Sequence, residues 1–276
     1  MPLSEANLSG VILSGADLKA TCRLETDLTR SELRAAVLNG ADLSGAHLSG
    51  ADLSNAYLIQ INLTEANLRG AILDEVVMFK ANLFKANLSG ANLSGADLSE
   101  SNFNEANLAG ANLTGVNCKR ALFAKANLSG AVLSGAVLTK ANLSEAILSE
   151  AVLSDANLEG ADLRLAILAR ANLSAAVLSE AVLNKANLRG ADLRAAVLDR
   201  ANLSEANLSA AILDKANLSA ANLSGADFTG AICNGAVFIG VDLSGAKLTD
   251  ALLMGANFNG AILEGAIRSK GTGKST

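Results

Sequence analysis

Side chains able to do chemistry are scarce in this chain, and those present stand apart from one another. The one histidine, His47, has no second histidine with which to share a metal or relay a proton, and it reads as a solvated surface residue. Three cysteines, Cys22, Cys118 and Cys233, are too few and too widely spaced for a disulfide framework. Nucleophilic catalysis needs a hydroxyl or thiol beside a base, and a single histidine cannot assemble a Ser/His/Asp or Cys/His set. The terminal run Gly271-Thr272-Gly273-Lys274-Ser275-Thr276 resembles the end of a phosphate-binding loop. That loop requires an earlier glycine where Arg268 stands, and a helix after it, so the run reads as a polar tail. Neither catalytic, cofactor-binding nor metal-binding residues are expected, and the chain is not expected to be an enzyme.

Composition narrows the partners. A formal net charge of -5, with 22 Lys/Arg and 27 Asp/Glu interspersed, argues against a basic nucleic-acid binder. Tryptophan is absent and Tyr57 is the only tyrosine, which removes the usual base-stacking platforms. The N-terminal residues enter the periodic pattern at once, without a basic stretch and apolar run, and no long apolar span follows. A soluble, cytoplasmic protein with no membrane contact is the expectation.

The elements that position these residues come from a repeat of five. Blocks such as Ala86-Asn87-Leu88-Ser89-Gly90, Ala91-Asn92-Leu93-Ser94-Gly95 and Ala141-Asn142-Leu143-Ser144-Glu145 recur along nearly the whole chain. In an α-helix each residue turns about 100°, so a five-residue step smears the leucines around the cylinder. In extended backbone, Ala and Leu two apart share one face, and the polar, Gly-rich remainder suits a turn. Each block is then a very short strand and a corner, and the chain winds into a solenoid with Leu and Ala inward. Cys118 and Cys233 fall on the Leu position and read as small buried hydrophobes.

These blocks closely resemble the pentapeptide repeat proteins, whose motif is a small residue, Asn/Asp, Leu/Phe and two variable residues. The resemblance implies an all-β, right-handed quadrilateral parallel β-helix with four pentapeptides per coil, so that residues 20 apart stack; periodicity alone does not give four sides. About 13 coils at the spacing of about 4.8 Å between paired strands make a rod roughly 60 Å long. Residues 1–267 form one body on this reading, and 268–276 a polar, flexible tail. Burial of each Leu contributes roughly 1.5 to 3 kcal/mol, so neither metal, disulfide nor cofactor is required for stability.

Departures from the repeat are the candidate sites. Arg23 falls on a core position, and two readings stand: a compensated slip that turns Leu24 inward after an extra residue before Cys22, or an arginine that reaches out of a loose first coil. The outward column Glu65, Lys85, Glu105, Lys125, Glu145 alternates in sign and would hold register between coils. Tyr57, Ile59, Val77, Phe79 and Phe84 occupy outward positions near one another, rimmed by Gln60, Lys80 and Lys85, as an apolar patch suited to a protein partner. Strand preference of aromatic and β-branched residues is the other reading of that patch. Ile212, Ile232 and Leu252 form a second outward column, and Phe228, Phe238 and Phe258 thicken the last coils. The resemblance implies an end-to-end homodimer there, with aromatic core plugs as the alternative.

Three functions follow. The first is a non-enzymatic rigid scaffold or adaptor for a protein partner, without direct nucleic-acid binding. The second, implied by the resemblance, is a DNA-mimicking inhibitor or protector of a type II topoisomerase, although alternating charges supply no one-signed field. The third is a structural rod that assembles end to end.

Overall fold

The computed structural model describes residue 7 and residues 9–18 and 26–268. Pairing is parallel throughout and joins residues 20 apart: Asn7 with Asp27, Tyr57 with Val77, Asn87 with Asn107 and onward to Asp242 with Ile262. Four blocks of five therefore close each coil, and the chain is a four-sided parallel β-helix. Each side is so short that one residue per coil makes the bridge. Only β1 (Lys247–Leu248) and β2 (Ile267–Arg268) are longer, paired in the same register. Arg268, placed by sequence in the tail, thus belongs to the last paired coil.

A complete accounting of backbone donors explains the block. Asn87 N–H donates to Ala66 O at 2.9 Å, Leu88 to Asn107 O at 2.7 Å and Gly90 to Ala109 O at 3.0 Å. Ala91 N–H donates back across the corner to Leu88 O at 3.0 Å. The remaining donor, Ser89 N–H, has no carbonyl to reach and is taken by Asn87 Oδ1 at 3.1 Å. Asn or Asp in the second place is therefore a turn-closing residue, because it satisfies the donor that the coil-to-coil ladder leaves over.

Corners carry the one strained position. The fifth residue of each block has positive φ, 66° at Gly90 and 57° at Lys85, as the third residue of a type II turn requires. Glycine adopts this freely, whereas a residue with Cβ gives up about 1 kcal/mol or more. Charged residues such as Lys80, Glu100 and Lys125 nevertheless hold it.

The core is a stack of Leu and Ala columns, with Leu158, Ala156 and their equivalents fully buried. Phe103 and Phe123 stack in it with centroids 4.9 Å apart. Ser101 replaces an inward alanine and is also fully buried. Its hydroxyl donates to Met78 O at 2.5 Å and accepts from Ala81 N–H at 2.9 Å, and the direct Ala81-to-Met78 bond opens to 3.4 Å. A buried hydroxyl needs both partners, and the coil below supplies them. Cys22, Arg23 and Leu24 lie outside the described residues. The pairing of Asp17 with Val37 and of Asp27 with His47 keeps the 20-residue step on both sides of them.

Candidate functional site

Two regions expose apolar surface that the repeat does not require. The first is the corner around Tyr57, Ile59, Val77, Phe79 and Phe84. Tyr57 pairs with Val77 on one side of the rod, and Gln60 N–H donates to Phe79 O, which seats Phe79 one coil above Ile59. Tyr57 is 47% exposed, and the other four are half-buried. Lys80 Nζ lies 4.9 Å from the Phe79 ring centroid and 3.5 Å from a Glu100 carboxylate oxygen. Lys85 repeats the arrangement on the next corner, 5.0 Å from the Phe84 ring and 3.7 Å from Glu105. Each ammonium rests against a ring face and is held there by an acid of the coil above, which makes the patch smaller and more amphipathic than residue types alone indicate.

The charge ladder is made in pairs. Lys85 meets Glu105 and Lys125 meets Glu145 at 3.7 and 3.8 Å, while Glu65 with Lys85 and Glu105 with Lys125 do not come within 4.0 Å. Each lysine reaches toward one neighbouring coil and cannot serve both, so the expected continuous network is interrupted. Such exposed pairs are each worth about 1 kcal/mol or less.

The second region is the C-terminal end. Ile212 and Ile232 are half-buried along their column, and Leu252 above them is 55% exposed. Met254 is 79% and Ile267 53% exposed, and Leu263, in the inward place of its block, is exposed as well. Phe228 and Phe238 are fully buried and meet edge to face at 6.0 Å. Phe258 stacks on Phe238 at 4.7 Å, with its other side only partly covered and Arg268 6.0 Å from its centroid. Of the three rings, Phe228 and Phe238 are thus core, and Phe258, stacked one coil above Phe238, is end surface.

A family model described as pentapeptide repeats matches residues 3–22, 25–64, 51–90, 61–100, 81–117, 117–155, 146–184, 156–194, 201–232 and 231–267. The chain belongs to the pentapeptide repeat family. Its members fold as right-handed quadrilateral β-helices, which gives the hand of the coils described above. Among solved structures it is similar to HetL, a pentapeptide repeat protein involved in heterocyst differentiation regulation from the cyanobacterium Nostoc sp. strain PCC 7120. The two are 30% identical over 98% of this chain and 92% of that one, with a TM-score of 0.39. It is also similar to QnrB1, a plasmid-mediated fluoroquinolone resistance protein, in a trypsin-treated form, at 25% identity over 59% of this chain and 90% of that one, TM-score 0.45. A third is Rfr23, a pentapeptide repeat protein from the cyanobacterium Cyanothece 51142, at 30% identity over 45% and 60%, TM-score 0.21. No sequence relative was found among curated proteins.

In this pentapeptide repeat protein the described cysteines and the histidine lie in different surroundings. Cys118 and Cys233 are buried free thiols; burial, with Asp214 nearby, pushes Cys233 up to about 12, and burial, with Asp97 nearby, pushes Cys118 up as well. Both are protonated at neutral pH and unreactive. His47 is exposed on one side of the rod. Among the described residues no group of three His, Cys, Asp or Glu converges on a point where a metal ion would fit, and no helix is long and apolar enough to cross a membrane.

Sequence reading missed how four of the apolar outward residues, Tyr57, Leu122, Ile232 and Leu252, are compensated. Where Tyr57 replaces the turn-closing Asn, the orphaned Ile59 N–H donates instead to Asn39 Oδ1 of the coil below, at 2.8 Å. Leu122 is compensated by Asn104, which accepts from Ala124 N–H at 2.8 Å, and Ile232 by Asp214, which accepts from Asn234 N–H at 2.9 Å. Leu252 is compensated by Asn234, which accepts from Met254 N–H at 3.2 Å. The signal was available: an Asn or Asp twenty residues before the orphan. At Val77 that place is Ile59, and Phe79 N–H has no partner among the described residues, as is also true of Thr139 N–H beside Val137 and Ser149 N–H beside Ile147.

Proposed function

We propose that this pentapeptide repeat protein is a non-enzymatic rigid scaffold that docks a protein partner on the corner formed by Tyr57, Ile59, Val77, Phe79 and Phe84. The observation that carries the reading is the conjunction at that corner of an exposed tyrosine and two phenylalanine rings under lysine ammoniums. Aromatic anchors inside a polar rim are what protein interfaces use, and the stacked coils hold them without a cost in chain ordering. A partner segment that lays apolar side chains between the rings and offers a backbone carbonyl to Phe79 fits the corner.

The C-terminal end supports a further arm of the same reading, in which a second copy covers Met254, Leu252, Leu263 and Ile267. The mutual pairing of Lys80 with Glu100, Lys85 with Glu105, and Arg200 with Glu180 leaves no one-signed field on those corners, which favours the scaffold over a DNA mimic.

The test is affinity capture from cytoplasmic extract with the intact protein beside a Tyr57→Ser, Ile59→Ser, Phe79→Ser, Phe84→Ser variant, matched for folding by circular dichroism. Loss of one specific protein from the variant is the expected result. Identical captures overturn the assignment of the corner, and a type II topoisomerase retained by both redirects the reading to the DNA mimic.

A further inference from the structure

Three Asn-Gly pairs occur in the chain, Asn39-Gly40, Asn234-Gly235 and Asn259-Gly260, each at a corner in the fourth and fifth places of its block. Asn-Gly is the dipeptide in which main-chain nitrogen most readily attacks the preceding carboxamide, because glycine has no Cβ to obstruct the approach. Whether the attack happens in a folded protein depends on whether the nitrogen and the carboxamide are held.

In two of the pairs both are held by the coil above. Gly40 N–H donates to Ile59 O at 2.9 Å, and Asn39 Oδ1 accepts from Ile59 N–H at 2.8 Å. Gly235 N–H donates to Met254 O at 2.9 Å, and Asn234 Oδ1 accepts from Met254 N–H at 3.2 Å. Asn259-Gly260 belongs to the last paired coil. Among the described residues neither Gly260 N–H nor the Asn259 carboxamide has a hydrogen-bond partner, and both residues are exposed. The surrounding backbone is fixed, since Asn259 N–H donates to Asn257 Oδ1 at 3.0 Å and Asn259 O accepts from Gly240 N–H at 2.9 Å. Gly260 holds φ at 69°, and a Cβ built on it would make only ordinary contact with the Gly240 backbone, at 3.8 Å.

We propose that Asn259-Gly260 is a site of spontaneous succinimide formation in the folded protein, and that Asn39-Gly40 and Asn234-Gly235 are not. Gly260 nitrogen, losing its proton to solvent base, bonds to Asn259 Cγ; the Cγ–Nδ2 bond breaks and ammonia leaves with a proton from water. Water then opens the ring at either carbonyl, giving aspartate or isoaspartate. The product adds a negative charge to the exposed C-terminal end and, as isoaspartate, one methylene to its main chain. A second copy pairing with that end would occupy Gly260 N–H as Asn259 occupies that of Gly240, so the reaction also reports whether the end is covered.

The test is peptide mapping by mass spectrometry of the intact protein after prolonged incubation, at dilution, in mildly alkaline buffer made with heavy-oxygen water. The expected result is label incorporation at residue 259, with both aspartate and isoaspartate, at least about tenfold faster than at residues 39 and 234, because those sites react only from locally opened states. The same incubation in denaturant is expected to bring the three rates together. Equal rates in the native protein, an unreacted Asn259, or a lead for residue 259 that persists in denaturant would each overturn the proposal.

Discussion

The apolar corner near the N-terminal third and the C-terminal end expose the same kinds of side chain in different backbone surroundings. At the corner the coils continue above and below, so almost every donor is satisfied, the rings are half-buried, and Lys80 and Lys85 shield them. At the end Met254 and Leu252 are more exposed than Tyr57, the most exposed apolar residue of the corner, and Gly260 N–H has no partner among the described residues. A side surface can therefore be apolar at little risk, whereas an end combines apolar area with an open strand edge, the combination that drives chains to pair. Self-association belongs to the end on this account, and recognition of a different protein belongs to the corner.

Breaking the rod between the two regions has the largest expected effect. Leu158 is fully buried at mid-rod, and Leu158→Asp places a carboxylate among leucines with no partner. A loss of more than about 4 kcal/mol, with several coils melting together, is expected in chemical denaturation followed by circular dichroism. An unchanged unfolding midpoint would refute the inward assignment.

Charging the end comes next. Met254→Glu with Ile267→Glu is expected to weaken any self-association by about tenfold or more, read as the concentration dependence of sedimentation. The core beneath is untouched by these exposed positions, so thermal unfolding at low concentration should change little.

Relieving a corner has a smaller effect of opposite sign. Gln60 is exposed and holds φ at 57° beside the apolar patch, so Gln60→Gly is expected to raise stability by about 1 kcal/mol. A decrease would mean that the side chain contributes packing the turn geometry does not reveal.

The smallest effect expected is on acid sensitivity. Asp242 accepts from Ser244, and the side-chain and backbone hydrogen bonds from that residue hold its carboxyl below the usual range. Asp192 is lowered by the hydrogen bonds of the Arg194 side chain, against a smaller opposing effect of burial. A carboxyl lowered on folding stabilises the protein above its unfolded value, and that contribution is lost as pH falls through the folded value. Stability should thus be flat near neutrality and decline below the ordinary carboxylate range. Asp242→Asn, which keeps the turn-closing oxygen and cannot titrate, is expected to flatten that decline slightly in acid titrations of unfolding.

Much of this architecture was legible in the residues themselves. The five-residue period excluded a helix, and Leu88 and its equivalents are inward, because a two-residue alternation fixes which side chains share a face. The four-sided coil required the family resemblance, since five-residue periodicity is compatible with other numbers of sides. Asn87 gave its role away only through hydrogen bonds: the sequence marks it as polar and outward, but its use as the acceptor for Ser89 N–H depends on where the ladder leaves a donor over. The chemistry of the apolar corner was half legible. Tyr57 and Phe79 announced themselves by type, while the shielding by Lys80 and the orphaned N–H of Phe79 depend on corner geometry and on a residue twenty places earlier.

The comparison between end and corner is tested most directly by sedimentation velocity across a wide concentration range on three proteins: the unaltered chain, the Met254→Glu, Ile267→Glu variant, and the Tyr57→Ser, Ile59→Ser, Phe79→Ser, Phe84→Ser variant. The account predicts a concentration-dependent dimer in the unaltered chain that persists in the corner variant and is lost in the end variant. A dimer lost in the corner variant and kept in the end variant would contradict it.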